Sequence, residues 1–174
     1  MRLKYPSTLA AALVGLPPLG LAAGLDVQIQ LPRLNVSEYH RPYVAAWIEH
    51  ASGEVGANLV VWHDQNMGIE EGGKWLRELR QWWRRSGREM RMPADGVSGA
   101  TRPPGSHRLQ FSEGKAPLPQ QLKPGSYRLV VEAAREQGER EVVQLPFEWP
   151  PGKASQATSR GITELGEVTL ELKP

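Results

Sequence analysis

The sequence predicts an all-β protein, an antiparallel β-sandwich of immunoglobulin or fibronectin-III type with one inserted amphipathic helix. Three observations predict this class. Seven short segments are rich in β-branched and aromatic residues, turn signals such as Pro124-Gly125 and Gln137-Gly138 separate them, and strands do not alternate with helices along the chain. Sandwiches show this succession of short strands and turns, whereas parallel sheets require a helix between strands.

Alternation of apolar and polar residues identifies the strands. In residues 25–31, Val27, Ile29 and Leu31 share one face, as a half-buried strand requires. Tyr127 follows a Pro-Gly turn, where sandwiches of this class use a tyrosine to anchor a corner. The polar residues 152–161 are predicted as a loop. The predicted strands are residues 25–31, 43–50, 58–64, 107–111, 126–133, 140–147 and 166–172.

One segment breaks the strand pattern. Residues 72–87 place five apolar side chains on one face of a helix and arginines on the other faces. These apolar residues are Trp75, Leu76, Leu79, Trp82 and Trp83. The sequence therefore predicts a single β-sandwich domain over residues 24–174, with a helix-loop insertion at about residues 72–105.

The amino terminus is typical of a Sec-type signal peptide. Arg2 and Lys4 precede an apolar run over residues 8–16, and the small residues Ala22 and Ala23 follow. Because a membrane-spanning helix needs about 20 apolar residues, this run is too short to be a permanent anchor. We expect cleavage of residues 1–23 and a periplasmic domain that does not itself span the membrane.

Charge and cysteine content exclude several classes of function. Without Arg2 and Lys4, 19 basic residues balance 19 acidic ones, so a nucleic-acid partner is not expected. The absence of cysteine excludes disulfides and thiolate metal sites. The four histidines lack metal-ligand spacing, and no metal site is predicted. Redox chemistry would therefore need a bound cofactor.

A seven-residue motif carries the main functional prediction. Residues 95–101 (DGVSGAT) follow the predicted helix in a loop closed by residues 103–105 (PPG). They resemble the FMN-attachment motif Asp-x-x-Ser/Thr-Gly-Ala-Ser/Thr of sodium-translocating NADH:quinone reductase subunits. The resemblance implies that an FAD:protein FMN transferase joins FMN to the hydroxyl of Thr101 through a phosphoester bond.

The other motif positions suit that chemistry. The resemblance makes Asp95 a recognition residue, and Ser98 occupies the hydroxyl position before the glycine. Gly99 and Ala100 leave the approach to the acceptor open, and Gly99 also permits backbone angles that could turn Thr101 outward. The alternative is an ordinary turn, because Asp-Gly and Ser-Gly are common turn dipeptides.

A second resemblance covers most of the chain. The chain resembles the predicted periplasmic family catalogued as domain of unknown function 2271 in the succession of residues 25–31, 43–50, 58–64, 74–83, 95–105 and 125–135. The resemblance implies a flavinylated partner of a PepSY-type membrane redox protein, in settings linked to iron uptake. The resemblance to this family does not imply any particular enzymatic reaction.

Trp82 and Trp83 are predicted to form an aromatic shelf for the flavin, since stacking adds about 0.5–1.5 kcal/mol beyond burial. Trp75 is a third candidate, and core packing is the alternative for all three. Arg102 adjoins the acceptor threonine and is the predicted partner of the phosphate, because a guanidinium donates two parallel hydrogen bonds to such a group.

These observations predict an exported electron carrier with covalent FMN on Thr101, placed between a PepSY-type membrane protein and an extracytosolic acceptor. One alternative is an unmodified periplasmic binding module whose tryptophans recognise a ligand. Another is a reductase with its own substrate. The sequence offers no convincing acid–base pair for it, so no catalytic residue is predicted and enzyme status stays open.

Overall fold

A computed structural model describes residues 22–65 and 74–174. Residues 1–21 of the predicted signal peptide therefore lie outside the described residues. Within these ranges nine strands form two sheets, with the orders β5-β1-β9-β8 and β4-β3-β2-β6-β7. The strands are β1 (Gly24–Leu31), β2 (Tyr43–His50), β3 (Val55–His63), β4 (Ser98–Ala100), β5 (Gly105–Ser112), β6 (Gly125–Ala134), β7 (Arg140–Trp149), β8 (Ser155–Arg160) and β9 (Glu167–Lys173).

The predicted fold class is confirmed: the protein is mostly β, and two sheets form a sandwich with few helices. Each of the seven predicted strands coincides with an observed one. Neighbouring strands are antiparallel except β3 and β4, which are parallel. Among the described residues no helix is long and apolar enough to cross a membrane.

Strand β8 occupies the region that the sequence predicted as a loop. Its backbone pairs with β9 from Ser155 opposite Leu172 to Arg160 opposite Glu167. Only Ala157 of this strand packs against the core, so the apolar alternation that identifies a strand is missing. An edge strand with polar side chains on both faces cannot be predicted from the alternation of apolar and polar residues.

The main core lies between the two sheets. The apolar face of β1 is buried there, with Leu25, Val27 and Ile29 fully inaccessible and Leu31 nearly so. This confirms the predicted alternation of the first strand. The opposite face of β1 carries Asp26, a buried carboxylate held by Arg108, Gln110 and Lys173 at 2.7–3.0 Å. These donors lower the pKa of Asp26 to about 2, against the effect of its burial.

A second, smaller core explains why β2 is buried on both faces. Its even-numbered residues Val44, Ala46 and Ile48 face the other sheet, whereas Ala45 and Trp47 belong to a cluster on the outer face. The helical segment covers that outer face with Leu76, Leu79 and Trp82, all buried. The inserted segment is therefore part of the folded core, and it makes β2 a central strand without a polar face.

The prediction of one continuous helix over residues 72–87 is wrong. Residues 74–76 are helical, a turn follows, and helix α1 (Arg80–Trp82) continues directly into a π-helical turn (Trp83–Gly87). Gly87 closes this turn against Trp82 and Trp83, because a Cβ atom at position 87 would lie 2.7 Å from each ring. The segment is thus two short helical pieces joined by a break.

A buried carboxylate on β6 accounts for the break. Glu132 accepts hydrogen bonds from the backbone N–H groups of Gln81 at 3.0 Å and Trp82 at 2.7 Å, and Arg140 Nε donates to it at 2.6 Å. Free N–H groups and a positive dipole end occur only where a helix begins, so a new helix start at Arg80 provides the donors that Glu132 needs. Tertiary structure here overrides the helical pattern.

The predicted tyrosine corner is confirmed. The hydroxyl of Tyr127, near the start of β6, donates a 2.7 Å hydrogen bond to the carbonyl oxygen of Lys123. The phenol ring is buried against Phe147, with ring centroids 5.7 Å apart. The hydrogen bond from Tyr127 to Lys123 fixes the angle at which the chain enters β6.

Candidate functional site

The seven-residue motif lies at the edge of the five-stranded sheet. Residues 95–97 form a turn, and Ser98–Ala100 form β4, parallel to β3. In this register Gly99 is opposite Trp62 and Ala100 is opposite His63. The backbone N–H of Thr101 donates to the carbonyl oxygen of His63 at 3.2 Å. Thr101 is therefore the residue at which the chain leaves the sheet.

The structure corrects two expectations for the motif. Its last part is a short strand rather than a loop, and the residue with a left-handed backbone is Gly96, at φ 72°, not Gly99. Gly99 is needed for a different reason. A Cβ atom there would lie 3.2 Å from Cδ1 of Trp62, closer than such contacts normally come. The small residue lets β4 pack closely over the Trp62 ring.

The motif contains two hydroxyl groups with different environments. The hydroxyl of Ser98 accepts a 2.8 Å hydrogen bond from the Ala94 N–H and closes the turn. Among the described residues nothing hydrogen-bonds to the hydroxyl of Thr101, whose residue is half-buried. Asp95 and Ala100, which precede Thr101 in the motif, are exposed. Of the two hydroxyls, that of Ser98 is used within the turn and that of Thr101 is not.

Thr101 also lines a cavity of about 380 Å³ at the surface, called the Thr101 cavity below. Its walls come from the segment before β2, from the end of β3 and from the end of β6. Besides Thr101, the lining residues are Tyr39, His40, Arg41, Tyr43, Asp64 and Glu136. The acceptor hydroxyl is thus beside a polar recess that three distant parts of the chain form together.

The polar groups of the Thr101 cavity divide into paired and unpaired ones. Tyr43 donates to Glu136 at 3.3 Å, and Nδ1 of His40 is 3.9 Å from the same carboxylate. Burial, followed by the negative charge of Glu136, raises the pKa of Tyr43, so its phenol is neutral. Arg41 is exposed, and no carboxylate within residues 22–65 or 74–174 pairs with it. Arg41 is therefore a cation available to an anionic ligand.

Trp82, one of the two residues of the predicted tryptophan shelf, packs in the second core together with Val97 of the motif. Trp82 has no exposed surface, and its indole N–H donates to Asn58 at 2.9 Å, so its ring has no face on which a flavin could stack. The predicted stacking is wrong for Trp82, whose role is core packing, and it stays a prediction for Trp83. Trp83 is partly exposed with Arg77 over its ring at 5.7 Å, and neither tryptophan lines the Thr101 cavity.

Arg102 does not line the Thr101 cavity. Its guanidinium carbon is 5.1 Å from the centroid of the Trp62 ring, and His107 contacts the same ring edge-on at 5.5 Å. Arg102 is exposed, so its predicted contact with a phosphate stays a prediction.

Sequence reasoning missed Tyr39 and Arg41. Tyr39 is a partly exposed aromatic ring in the Thr101 cavity, and the Arg135 guanidinium is 6.0 Å from its centroid. Both residues lie between β1 and β2, where the sequence has no strand or helix periodicity. Nothing local to residues 39–41 connects them with a threonine about sixty positions later. Only the fold brings them together.

Comparisons with known proteins add one firm result. A search of curated proteins finds no match. One solved structure, human GIVD cytosolic phospholipase A2 in complex with methyl gamma-linolenyl fluorophosphonate, aligns at 12% identity with a TM-score of 0.30. The alignment covers 88% of this chain and 17% of the phospholipase, and at that score it supports no argument. A family model described as "Predicted periplasmic protein (DUF2271)" matches residues 24–167, and the chain belongs to this family.

Proposed function

We propose that the protein is an exported flavoprotein with FMN esterified to Thr101. It carries electrons between a PepSY-type membrane redox protein and an extracytosolic acceptor such as a ferric chelate. The single observation that supports this proposal best is that Thr101, the half-buried residue at the end of the motif, lies beside a recess of about 380 Å³ and has no hydrogen bond to its hydroxyl from any described residue. Membership of a predicted periplasmic family is in keeping with export.

The attachment reaction is a phosphoryl transfer. The Thr101 oxygen attacks the phosphorus of the FMN half of FAD, the bond from that phosphorus to the AMP oxygen breaks, and AMP leaves. The hydroxyl proton passes to a base of the transferase or to water. This in-line displacement needs an acceptor oxygen without bulky neighbours. Ala100 and the edge position of β4 meet this requirement, since within residues 22–65 and 74–174 no further strand pairs with β4.

The residues around Thr101 suit the attached group. A phosphodiester keeps one negative charge, and Arg41 in the same recess can donate paired hydrogen bonds to it. Tyr39 offers a partly exposed ring for stacking. The bound FMN would supply one- and two-electron chemistry, while this chain positions it and leaves part of it open to partners. Trp82 has no part in this arrangement, because it is sealed in the core.

The direct test is co-expression of the full chain with a flavin transferase. We expect a yellow protein whose flavin fluorescence stays with the polypeptide after denaturation, because a phosphoester bond survives unfolding. A known acceptor protein, expressed in parallel, serves as the positive control for the transferase. A colourless product beside a flavinylated control acceptor contradicts the proposal.

The two candidate phosphate partners can be separated with matched variants. We expect Arg41→Gln to increase acrylamide quenching of the attached flavin, because loss of a charge-assisted contact worth about 1.5–3 kcal/mol releases the group from the recess. Arg102→Gln removes the same charge from the next position after Thr101 and should leave quenching unchanged. The opposite pattern would assign the phosphate contact to Arg102, as the sequence predicted.

A further inference from the structure

The positive charge of the protein is concentrated on one segment. Residues 74–91 contain seven of the chain's 21 arginines and lysines and two of its 19 aspartates and glutamates. The segment therefore has a net charge of +5, and the rest of the chain has −3. All seven cations are exposed, and together they are called the basic face below: Lys74, Arg77, Arg80, Arg84, Arg85, Arg88 and Arg91.

The basic face is held rigidly on the sandwich. Leu76, Leu79 and Trp82 from the same segment are buried against the five-stranded sheet. The carboxylate of Glu132 binds two of its backbone N–H groups. The apolar side of the segment is thus already packed against the sandwich, while its seven cations remain exposed. Rigid attachment means that a partner binds these charges without first ordering a mobile chain.

Most of this charge is not neutralised within the described residues. Arg80 pairs with Glu78 at 3.3 Å, and Arg85 is 3.5 Å from the buried carboxylate of Glu49. Arg84, Arg88 and Arg91 have no ion pair with any carboxylate in the described parts of the chain. An uncompensated cluster of cations attracts an anionic partner.

Two tryptophans distinguish a lipid partner from other anions. Trp75 and Trp83 are partly exposed within the basic face, under Lys74 and Arg77 respectively, each at 5.7 Å. Tryptophan beside lysine or arginine is the combination that proteins place at the headgroup level of a bilayer. We propose that the basic face docks the protein on a membrane surface rich in anionic phospholipids. This proposal does not depend on modification of Thr101.

Contact of this kind is electrostatic and superficial. Each arginine or lysine near an anionic membrane surface contributes about 1 kcal/mol, which is about a fivefold change in the binding constant. The negative remainder of the chain is repelled by the same surface, so the two effects together orient the protein with residues 74–91 toward the lipid. Binding should weaken as ionic strength rises, because exposed charges are screened.

The test is sedimentation of the full chain with vesicles that contain phosphatidylglycerol or only phosphatidylcholine. We expect binding to the first kind alone, and about a hundredfold weaker binding for the triple variant Arg84→Gln, Arg88→Gln and Arg91→Gln. The control variant Lys115→Gln, Lys153→Gln and Arg160→Gln removes three exposed cations elsewhere and should bind within a few-fold of the unsubstituted chain. Any contribution of residues 1–21 is common to all these proteins.

Circular dichroism and the midpoint of thermal unfolding establish that both triple variants fold. No binding to phosphatidylglycerol vesicles would overturn the proposal, and so would an equal loss in the two variants. Poly-glutamate serves as a probe for an acidic protein partner. Binding to poly-glutamate without binding to the vesicles would assign the basic face to a protein and also overturn the proposal.

Discussion

The Thr101→Ala variant is expected to carry no covalent flavin after co-expression with a flavin transferase, whereas Thr101→Ser is expected to remain flavinylated. Alanine removes the oxygen that forms the phosphoester bond, and serine keeps it at the same position after β4. The loss should be complete, because the other hydroxyl of the motif, that of Ser98, already closes the preceding turn. Fluorescence of the denatured polypeptide measures the outcome.

A matched substitution controls for effects on expression and folding. Thr158→Ala replaces an exposed threonine on β8, in the other sheet, and should leave flavinylation unchanged. Flavin retained by Thr101→Ala would show that a different oxygen is the acceptor. Flavin lost from Thr101→Ser would show that the transferase also requires the γ-methyl group of the threonine, so that the hydroxyl alone would not be sufficient for attachment.

The Glu132→Ala variant is expected to lower the free energy of unfolding by about 3 kcal/mol, because each buried donor left without an acceptor costs about 1–3 kcal/mol, while the partner Arg140 is partly exposed and can bind water instead. Glu132 is fully buried and binds Arg140 together with the N–H groups of Gln81 and Trp82. Without the carboxylate these donors lose their acceptor. Urea unfolding followed by tryptophan fluorescence gives the value.

Two further variants define what the Glu132 result means. Glu132→Gln keeps one acceptor oxygen and the side-chain volume but loses the charge, so it should be less destabilising than alanine. Glu148→Ala removes an exposed carboxylate from neighbouring β7 and should change stability by no more than about 0.5 kcal/mol. A loss below about 1 kcal/mol in Glu132→Ala would show that water replaces the carboxylate, which contradicts the role of Glu132 as the buried acceptor of the two N–H groups.

The sequence predicted the sandwich because local patterns and tertiary structure agree in most strands. In β1 the alternation of Val27, Ile29 and Leu31 appears directly as the buried face. β8 carries no such signal, since its attachment to β9 rests mainly on main-chain pairing. The break in the helical segment before Arg80 could not be predicted from local sequence either, because the carboxylate responsible, that of Glu132, is about fifty residues away in β6. Local periodicity cannot report an acceptor supplied from another strand.

The candidate site likewise has a part that the sequence predicts and a part that only the fold brings together. The motif around Thr101 is contiguous, so its residues could be identified without the fold. The recess beside it could not, because Tyr39, Arg41 and Glu136 come from segments far from the motif in the chain. Helical spacing placed Trp82 on an apolar face correctly, but such a face does not distinguish a ligand shelf from a core. Burial decides that question, and it assigns Trp82 to the core.

The most direct measurement of covalent flavin attachment is the intact mass of the protein isolated from the cells that naturally produce it. We expect a polypeptide heavier by one FMN less one water, with the added mass on the peptide that contains Thr101. A polypeptide of unmodified mass, from cells shown to flavinylate another acceptor, would contradict the assignment of Thr101 as the attachment site.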